Sequence, residues 1–226
     1  MQNEFLELGN RVPVLKIGIP PMFSTIFFPE VLNAFEQNHP DIQTELDEFG
    51  SVRACDLVQD EKLDLAIVNM EQFNIDKFES CILAKEQLMY VVSKKHPMAK
   101  KKCMTIEDFR DENLLMFNVD SVQNELLKNR FDQLKLNPRI IMRSSQLYTT
   151  LKFIDNGSCG CFLFSDMLPH FKQYKGIPLE PPIDVNIGIV WKKGNFLSHS
   201  AQLFIDFAMQ YLSLIHISEP TRLQLI

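Results

Sequence analysis

Residues 15–50 read LKIGIPPMFSTIFFPEVLNAFEQNHPDIQTELDEFG, and residues 51–69 continue SVRACDLVQDEKLDLAIVN. Leu15–Ile19 is a short apolar run closed by Pro20-Pro21, which suits a buried strand better than a helix. Phe28, Val31, Leu32 and Phe35 then recur at i, i+3, i+4 and i+7, one face of an amphipathic helix. Ser24 or Thr25 is placed to cap its start, and His39-Pro40 to stop it. Ile42, Thr44 and Leu46 alternate with polar residues, as a half-buried strand requires. A short helix around Val52–Val58 leads to a second fully apolar strand at Leu63–Val68. The order strand, helix, strand, helix, strand predicts an α/β fold with a parallel sheet.

Working outward, Glu86–Ser93 is another strand, ending at the His96-Pro97 turn. Thr105 and Asp108 have the spacing of a capping box for a short helix. A second α/β series follows, with a strand at Leu114–Phe117, a helix at Val122–Leu134 and a strand at Arg139–Arg143. Leu147, Leu151 and Ile154 mark another helix, stopped by Gly157 at the C′ position. Cys159–Phe164 reads as a strand, Asp166–Tyr174 as a helix and Asp184–Lys192 as a strand. Ser198 then caps a last helix with Ala201, Phe204, Ile205, Ala208 and Tyr211 on one face.

Those segments together resemble the effector-binding domain of LysR-type transcriptional regulators. The resemblance is carried by LKIGI at 15–19, the helix ending FEQNHP at 35–40, LDLAI at 63–67 and EQLMYVVSKKHPMA at 86–99. It continues through TIEDFRDENLLM at 105–116 and NGSCGCFLF at 156–164, and it runs from about Val14 to Tyr211. It implies a two-lobed fold of the periplasmic-binding-protein type II kind, with mainly parallel sheets and a cleft between lobes. Residues 14–88 and 188–211 would form the first lobe and 89–187 the second. The winged helix-turn-helix and linker helix of the resembled family lie upstream of such a domain. Met1–Pro13 would then be the end of the linker, and DNA would be reached only through that absent part. The family also implies a homodimer or higher homo-oligomer, pairing through helices that correspond to Phe28–Asn38 and Val122–Leu134. A solute-binding protein of a transporter is the alternative on the same fold class.

Composition narrows the function classes. A net charge of −6 argues against this chain holding nucleic acid by itself, because phosphate binding needs a concentrated basic surface. The one basic run, Lys94-Lys95 and Lys100–Lys102, flanks the His-Pro turn and reads as a solvated loop. Five cysteines show neither zinc-ligand spacing nor an even-numbered framework, so reduced thiols in a cytoplasmic protein are expected. Cys159 and Cys161 share one strand face, where buried structural thiols are the simpler reading and redox sensing the alternative. Met1–Asn10 lacks the apolar core of a signal peptide, and no window is long enough to span a membrane. No nucleophile elbow, zinc-protease motif, P-loop or dinucleotide fingerprint occurs. Neither catalytic residues, metal nor cofactor are expected. Acidic pairs such as Asp47-Glu48 read as solvated surface.

Candidate binding residues come from the ends of strands, where open α/β sheets place their ligands. Ser24 and Thr25 sit between a strand end and a helix start, where hydroxyls and free N–H groups favour an anion. By themselves they read more simply as a plain helix cap, and it is the strand-end position that turns the reading toward ligand contact. Asn69, the pair Asn118 and Ser121, and the run Ser144, Ser145 and Gln146 end other strands with small polar groups. Each alone reads as a turn or cap; together they would meet at one mouth. Met22 and Phe23 add an apolar element, and Phe164 would line the second lobe. By resemblance the ligand is a small-molecule effector, anionic or amino-acid-like. Beyond Tyr211, LSLIHISEPTR at 212–222 reads as an in-frame translation of a transposase-type sequencing adapter. Leu212–Ile226, His216 included, is therefore expected to be a non-native tail.

Overall fold

The computed structural model describes residues 14–218 apart from 27, 72–74 and 120. The expected linker end at Met1–Pro13 lies outside the described residues, as does the tail beyond 218. The described chain opens with β1 (Val14–Ile19), a one-and-a-half-turn helix α1 (Pro21–Ile26), α2 (Phe28–Asn38), β2 (Gln43–Glu48), α3 (Ser51–Gln59) and β3 (Leu65–Asn69). β1 pairs in parallel with β2 along its whole length, from Val14 opposite Gln43 to Ile19 opposite Glu48, and with β3 on its other side. Leu15, Ile17 and Ile19 are at most 1% exposed while Lys16 points to solvent. Gly18 lies on the opposite face, where a β-carbon would come within 2.7 Å of Leu63. Its bareness lets α3 and the turn after it close on the sheet.

The amphipathic reading of Phe28–Asn38 holds: Phe28, Val31 and Phe35 are buried. Phe28 and Phe35 meet Phe204 at ring-centroid distances of 5.9 and 5.0 Å. Phe204 belongs to the last helix, α6 (His199–Ser218), whose start is capped by the Ser198 hydroxyl accepting from Ala201 N–H at 3.2 Å.

A 16-residue strand, β4 (Phe78–Ser93), joins the two halves. Its first part, as far as Gln87, runs antiparallel to β10 (Asp184–Lys192). From Leu88 onward it instead pairs with β8 (Gly160–Phe164) and β9 (Tyr174–Glu180). The second half adds β5 (Met104–Thr105), β6 (Asn113–Met116), α4 (Val122–Gln133), β7 (Arg139–Arg143) and α5 (Leu147–Ile154). β6 lies parallel to both β7 and β8. The strand order is β2-β1-β3-β10-β4-β8-β6-β7, with β9 and β5 branching off β4. Antiparallel pairing is confined to β4 and β10, the two strands that carry the chain between halves. An aromatic cluster of Tyr90, Phe109, Phe131 and Phe162 fills the second half, with centroids 4.9 to 5.8 Å apart.

Four local expectations need correction. Ser24 and Thr25 do not cap α2; they lie inside α1, and both hydroxyls donate back to the Pro21 carbonyl, at 2.8 and 2.9 Å. The strand expected at Glu86–Ser93 is only the end of β4. The helix expected at Asp166–Tyr174 is a 3₁₀ segment over Ser165–His170 that contains Pro169, and Tyr174 already opens β9. Gly157 does take the left-handed conformation, φ +76°, and donates to the Ile154 carbonyl, but it sits one place beyond C′ because Asp155 is the C-cap. The capping box at Thr105 and Asp108 forms as read.

Candidate functional site

Four strands end side by side, and their loops build one cleft between the halves. β1 gives way to Pro20, Pro21 and Met22; α1 starts there because Pro is tolerated in a helix's first turn, where its missing N–H costs nothing. β2 ends at Glu48, and Phe49 N–H donates to the Ile19 carbonyl at 3.0 Å, holding the two loops together. Gly50 is the N-cap of α3 and offers no side-chain cap. In the second half, β6 runs into Phe117 and Asn118, and Ser121 caps α4 by accepting from Asn124 N–H at 3.1 Å. β7 runs into Ser144 and Ser145. Ser144 N–H donates to the Met116 carbonyl at 3.0 Å, and Asn118 Nδ2 reaches Ser145 Oγ at 3.4 Å.

The cleft so formed has a volume of about 190 Å³ and is lined by residues of both halves. Pro20, Pro21, Met22, Glu48, Phe49, Gly50 and Ser51 come from the first; Phe117, Asn118, Ser121, Gln123 and Ser145 come from the second. At about 30 Å³ per water, this is room for roughly six waters, the size of a small metabolite. Three helices begin at or beside it: α3 after Gly50, α4 after Ser121, and α5 just past Ser145. The first turn of each leaves N–H groups without intrahelical acceptors and with a positive dipole end. Gln123 is 6% exposed and its amide has no hydrogen-bond partner among the described residues. Its amide atoms reach the cleft rather than being sealed in, since the fully buried unpartnered side-chain atom among the described residues is Asn69 Nδ2, so they stand ready to bond a molecule that enters. Among the described lining residues Glu48, itself exposed, carries a formal charge, and none is Lys or Arg. One Glu48 oxygen, Oε1, accepts from the Ser24 hydroxyl.

The sequence-derived candidates separate into two groups. Met22, Asn118, Ser121 and Ser145 meet in this cleft. Ser144 joins Met22 and Ser145 around a narrow apolar recess beside it, with Leu115, Phe162 and Leu163. The others do not line the cleft. Phe23 and Phe164 are buried and stack on each other across the two halves, 5.1 Å between centroids at 26°. Ser24 orients Glu48, Thr25 is exposed, and the exposed Gln146 accepts from Thr149 at 3.0 Å. Asn69 is fully buried: its N–H donates to Ser51 Oγ at 3.1 Å and its Nδ2 has no partner among the described residues. Glu48, Gly50, Ser51 and Gln123 were not anticipated. Glu48 reads as surface acid, and Ser51 and Gln123 fall inside stretches that read simply as helix.

Other ionisable groups are occupied structurally. Tyr90 donates to Glu112 at 2.8 Å, and His96 Nε2 lies 3.4 Å from the same carboxylate. Burial raises the Tyr90 phenol, with the Glu112 hydrogen bond adding to it, and burial lowers the His96 imidazole. Glu86, just before the handover in β4, accepts from the Ser165 hydroxyl at 3.0 Å and is pushed up to about 8, mainly by burial and then by the Asp166 charge. Burial also raises the thiols of Cys55 (to about 12), Cys159 and Cys161, which makes them poor nucleophiles. Among the described residues no three His, Cys, Asp or Glu side chains are grouped to hold a metal, and no described helix is long and apolar enough to cross a membrane.

Comparison with known proteins agrees with this architecture. The profile of the LysR substrate binding domain matches residues 9–213. The HTH-type transcriptional regulator YwbI of Bacillus subtilis is 31% identical over 202 residues, 88% of this chain and 66% of that protein. The transcriptional dual regulator GltC of the same organism is 25% identical, over 88% of this chain and 67% of its own length. The chain thus spans about two thirds of the length of these relatives. Among solved structures, the Synechocystis CcmR regulatory domain in complex with 2-PG superposes with a TM-score of 0.80 at 20% identity, covering 88% of this chain and 97% of that one. The effector binding domain of QuiR in complex with shikimate gives 0.77 at 22% identity, covering 90% and 99%. At these identities the structures speak to the fold, which is the two-lobed α/β fold of such domains.

Proposed function

This chain belongs to the LysR substrate binding domain family, and from that premise we propose that it is the ligand-sensing and dimerisation region of a LysR-type transcriptional regulator. A small metabolite enters the cleft between the halves, and DNA is engaged through a separate N-terminal domain in the intact protein. Residues 14–88 and 188–211 act as one lobe and 89–187 as the other. The observation that carries this reading is the convergence of four strand ends on one cleft, into which the otherwise buried Gln123 presents an amide with no partner among the described residues. The two lobes hold different faces of the ligand, so binding favours one relative placement of them. The ligand shifts that equilibrium only by its difference in affinity for the two placements.

A thermal-shift screen of small metabolites tests the site. A true effector raises the melting temperature, and Gln123→Leu weakens its binding about tenfold or more, the loss of one hydrogen bond to a charged group. An effector whose affinity is untouched by Gln123→Leu binds elsewhere. Dimerisation runs through the outer faces of α2 and α4. Charged substitutions at the part-exposed Ala34 and Leu126 give monomers in sedimentation; dimers that persist after both changes would reject that interface.

A further inference from the structure

We propose that a proton shared between Glu86 and Asp166 locks the two halves together at their pivot, and that its loss loosens them, so that their relative placement answers to pH. The lock lies outside the cleft, and it rests on the halves being able to shift, as the proposed sensing role requires. Glu86 stands two residues before Leu88, where β4 leaves β10 for β8 and β9. On the side of the first half it is walled by Phe23, Phe28 and Val31. Its hydrogen bonds come from the second half: the Ser165 hydroxyl donates to Oε2 at 3.0 Å and Asp166 N–H to the same oxygen at 3.4 Å. Gln87 N–H in turn donates to Ser165 Oγ at 3.4 Å. One carboxyl, 4% exposed, thus bridges the seam.

The Asp166 carboxyl stands within hydrogen-bonding reach of the Glu86 carboxyl. Two carboxylates so placed resist ionising together, and a proton held between them turns repulsion into a bond. Among the described residues neither forms an ion pair with Lys, Arg or His. Lys85 and Gln87 point to the opposite face of β4, where Lys85 is exposed and Gln87 Nε2 donates to Asp184 Oδ1 at 3.0 Å. His170 ends the 3₁₀ segment that Asp166 begins, and it is exposed. From α1, α2, β3 and β10 come apolar side chains, Phe23, Phe28, Ile67 and Ile187. Burial first and the Asp166 charge second push the Glu86 carboxyl up to about 8. The locked placement therefore keeps a proton that a placement hydrating Glu86 would release. Rising pH favours the loosened placement, by at most about tenfold per pH unit, from the ordinary carboxyl range up to about 8 and no further above it.

The test is the distance between the cleft lips, read by double electron–electron resonance on the whole chain. Spin labels go on Val52→Cys and Val119→Cys, both exposed and each next to a cleft-lining residue. Cys81→Ser and Cys103→Ser remove the half-buried thiols, while Cys55, Cys159 and Cys161 are buried and stay unlabelled. Between about pH 5 and 9 the distance should lengthen in this parent and level off above about 8. Glu86→Gln should hold the short distance throughout, and Asp166→Asn should shrink the response and level it off at lower pH. Circular dichroism at each pH checks that every variant is folded. A distance that ignores pH, a Glu86→Gln variant that follows the parent, or an Asp166→Asn variant with the parent's full response overturns the lock. A Glu86→Gln variant that is only more stable, with the distance unmoved in both proteins, marks a static buried acid and overturns it too. The sensing reading is judged separately, by the metabolite screen and Gln123→Leu.

Discussion

Replacing Glu86 with glutamine should stabilise this protein, and by more the higher the pH. The Glu86 side chain is 4% exposed, walled in part by Phe23, Phe28 and Ile187, and hydrogen-bonded to Ser165 Oγ at 3.0 Å and Asp166 N–H at 3.4 Å. Burial first, and the Asp166 charge second, push its carboxyl from 4.5 up to about 8. Between those values the native state holds a proton that the unfolded chain has released. Stability therefore falls as pH rises through this window, by about 1.4 kcal/mol per pH unit and up to about 5 kcal/mol in all. The contribution is fully present only below the unfolded value. The glutamine amide oxygen keeps an acceptor for the Ser165 hydroxyl and the Asp166 N–H but does not titrate. Urea denaturation near pH 5 should find the two proteins within about 1 kcal/mol of each other. Near pH 8 the variant should lead by several kcal/mol, or roughly 10 °C in melting temperature for a chain of this size. A difference that stays constant with pH, or that grows toward acid, would refute the assignment of a buried, protonated Glu86.

Two further outcomes follow from the packing. Phe35→Ala removes a ring that is 0% exposed and stands 5.0 Å from Phe204 and 5.5 Å from Phe207; it should cost about 3–5 kcal/mol in urea titration, and a loss below about 1 kcal/mol would mean α2 is not docked on α6 as described. Cys55 and Cys161, buried and with raised thiols, should resist a thiol reagent near pH 8 until the protein unfolds, when all five cysteines react. Fast native labelling of Cys161 would reopen the redox reading of the Cys159 and Cys161 pair.

The fold was largely readable because each buried strand carries its own signature. Leu15–Ile19 and Leu63–Val68 are apolar runs bounded by breakers, and α2 shows its buried face at helical spacing. β9 was missed because YKGIPLE holds a glycine and a proline, which read as a turn; its strand character comes from pairing with β4, more than 80 positions earlier. Pro20-Pro21 read as a plain stop, yet a proline at the first helical position starts α1. That small helix turned Ser24 and Thr25 inward upon Pro21, where hydroxyls of this kind bond readily to carbonyls a turn back. Four of the candidate site residues reached the cleft because strand ends in an open α/β sheet must converge there. Glu48, Ser51 and Gln123 escaped because nothing local distinguishes a cleft-facing side chain from a solvated or helical one. Only the register of Ile19 against Glu48, and of Met116 against Arg143, brings them together.

The same geometry sets how a ligand can act. The halves are tied by β4, by the run from β9 into β10, and by the Phe23–Phe164 stack, so on the proposed reading any change in their relative placement would pivot beside this buried contact and be largest at the polar lips of the cleft. Reversing a 1:99 population of two placements takes a difference of about 5.5 kcal/mol. A hydrogen bond to a charged group contributes about 1.5–3 kcal/mol net, so about two to four bonds made only when the lips close are enough. On the proposed reading the cleft supplies them from opposite sides, Glu48 and Ser51 from one half and Ser121, Gln123 and Ser145 from the other. Neither set alone would distinguish open from closed. On that reading a sensing role depends on the ligand touching both halves at once, because only contacts that differ between the two placements shift their balance.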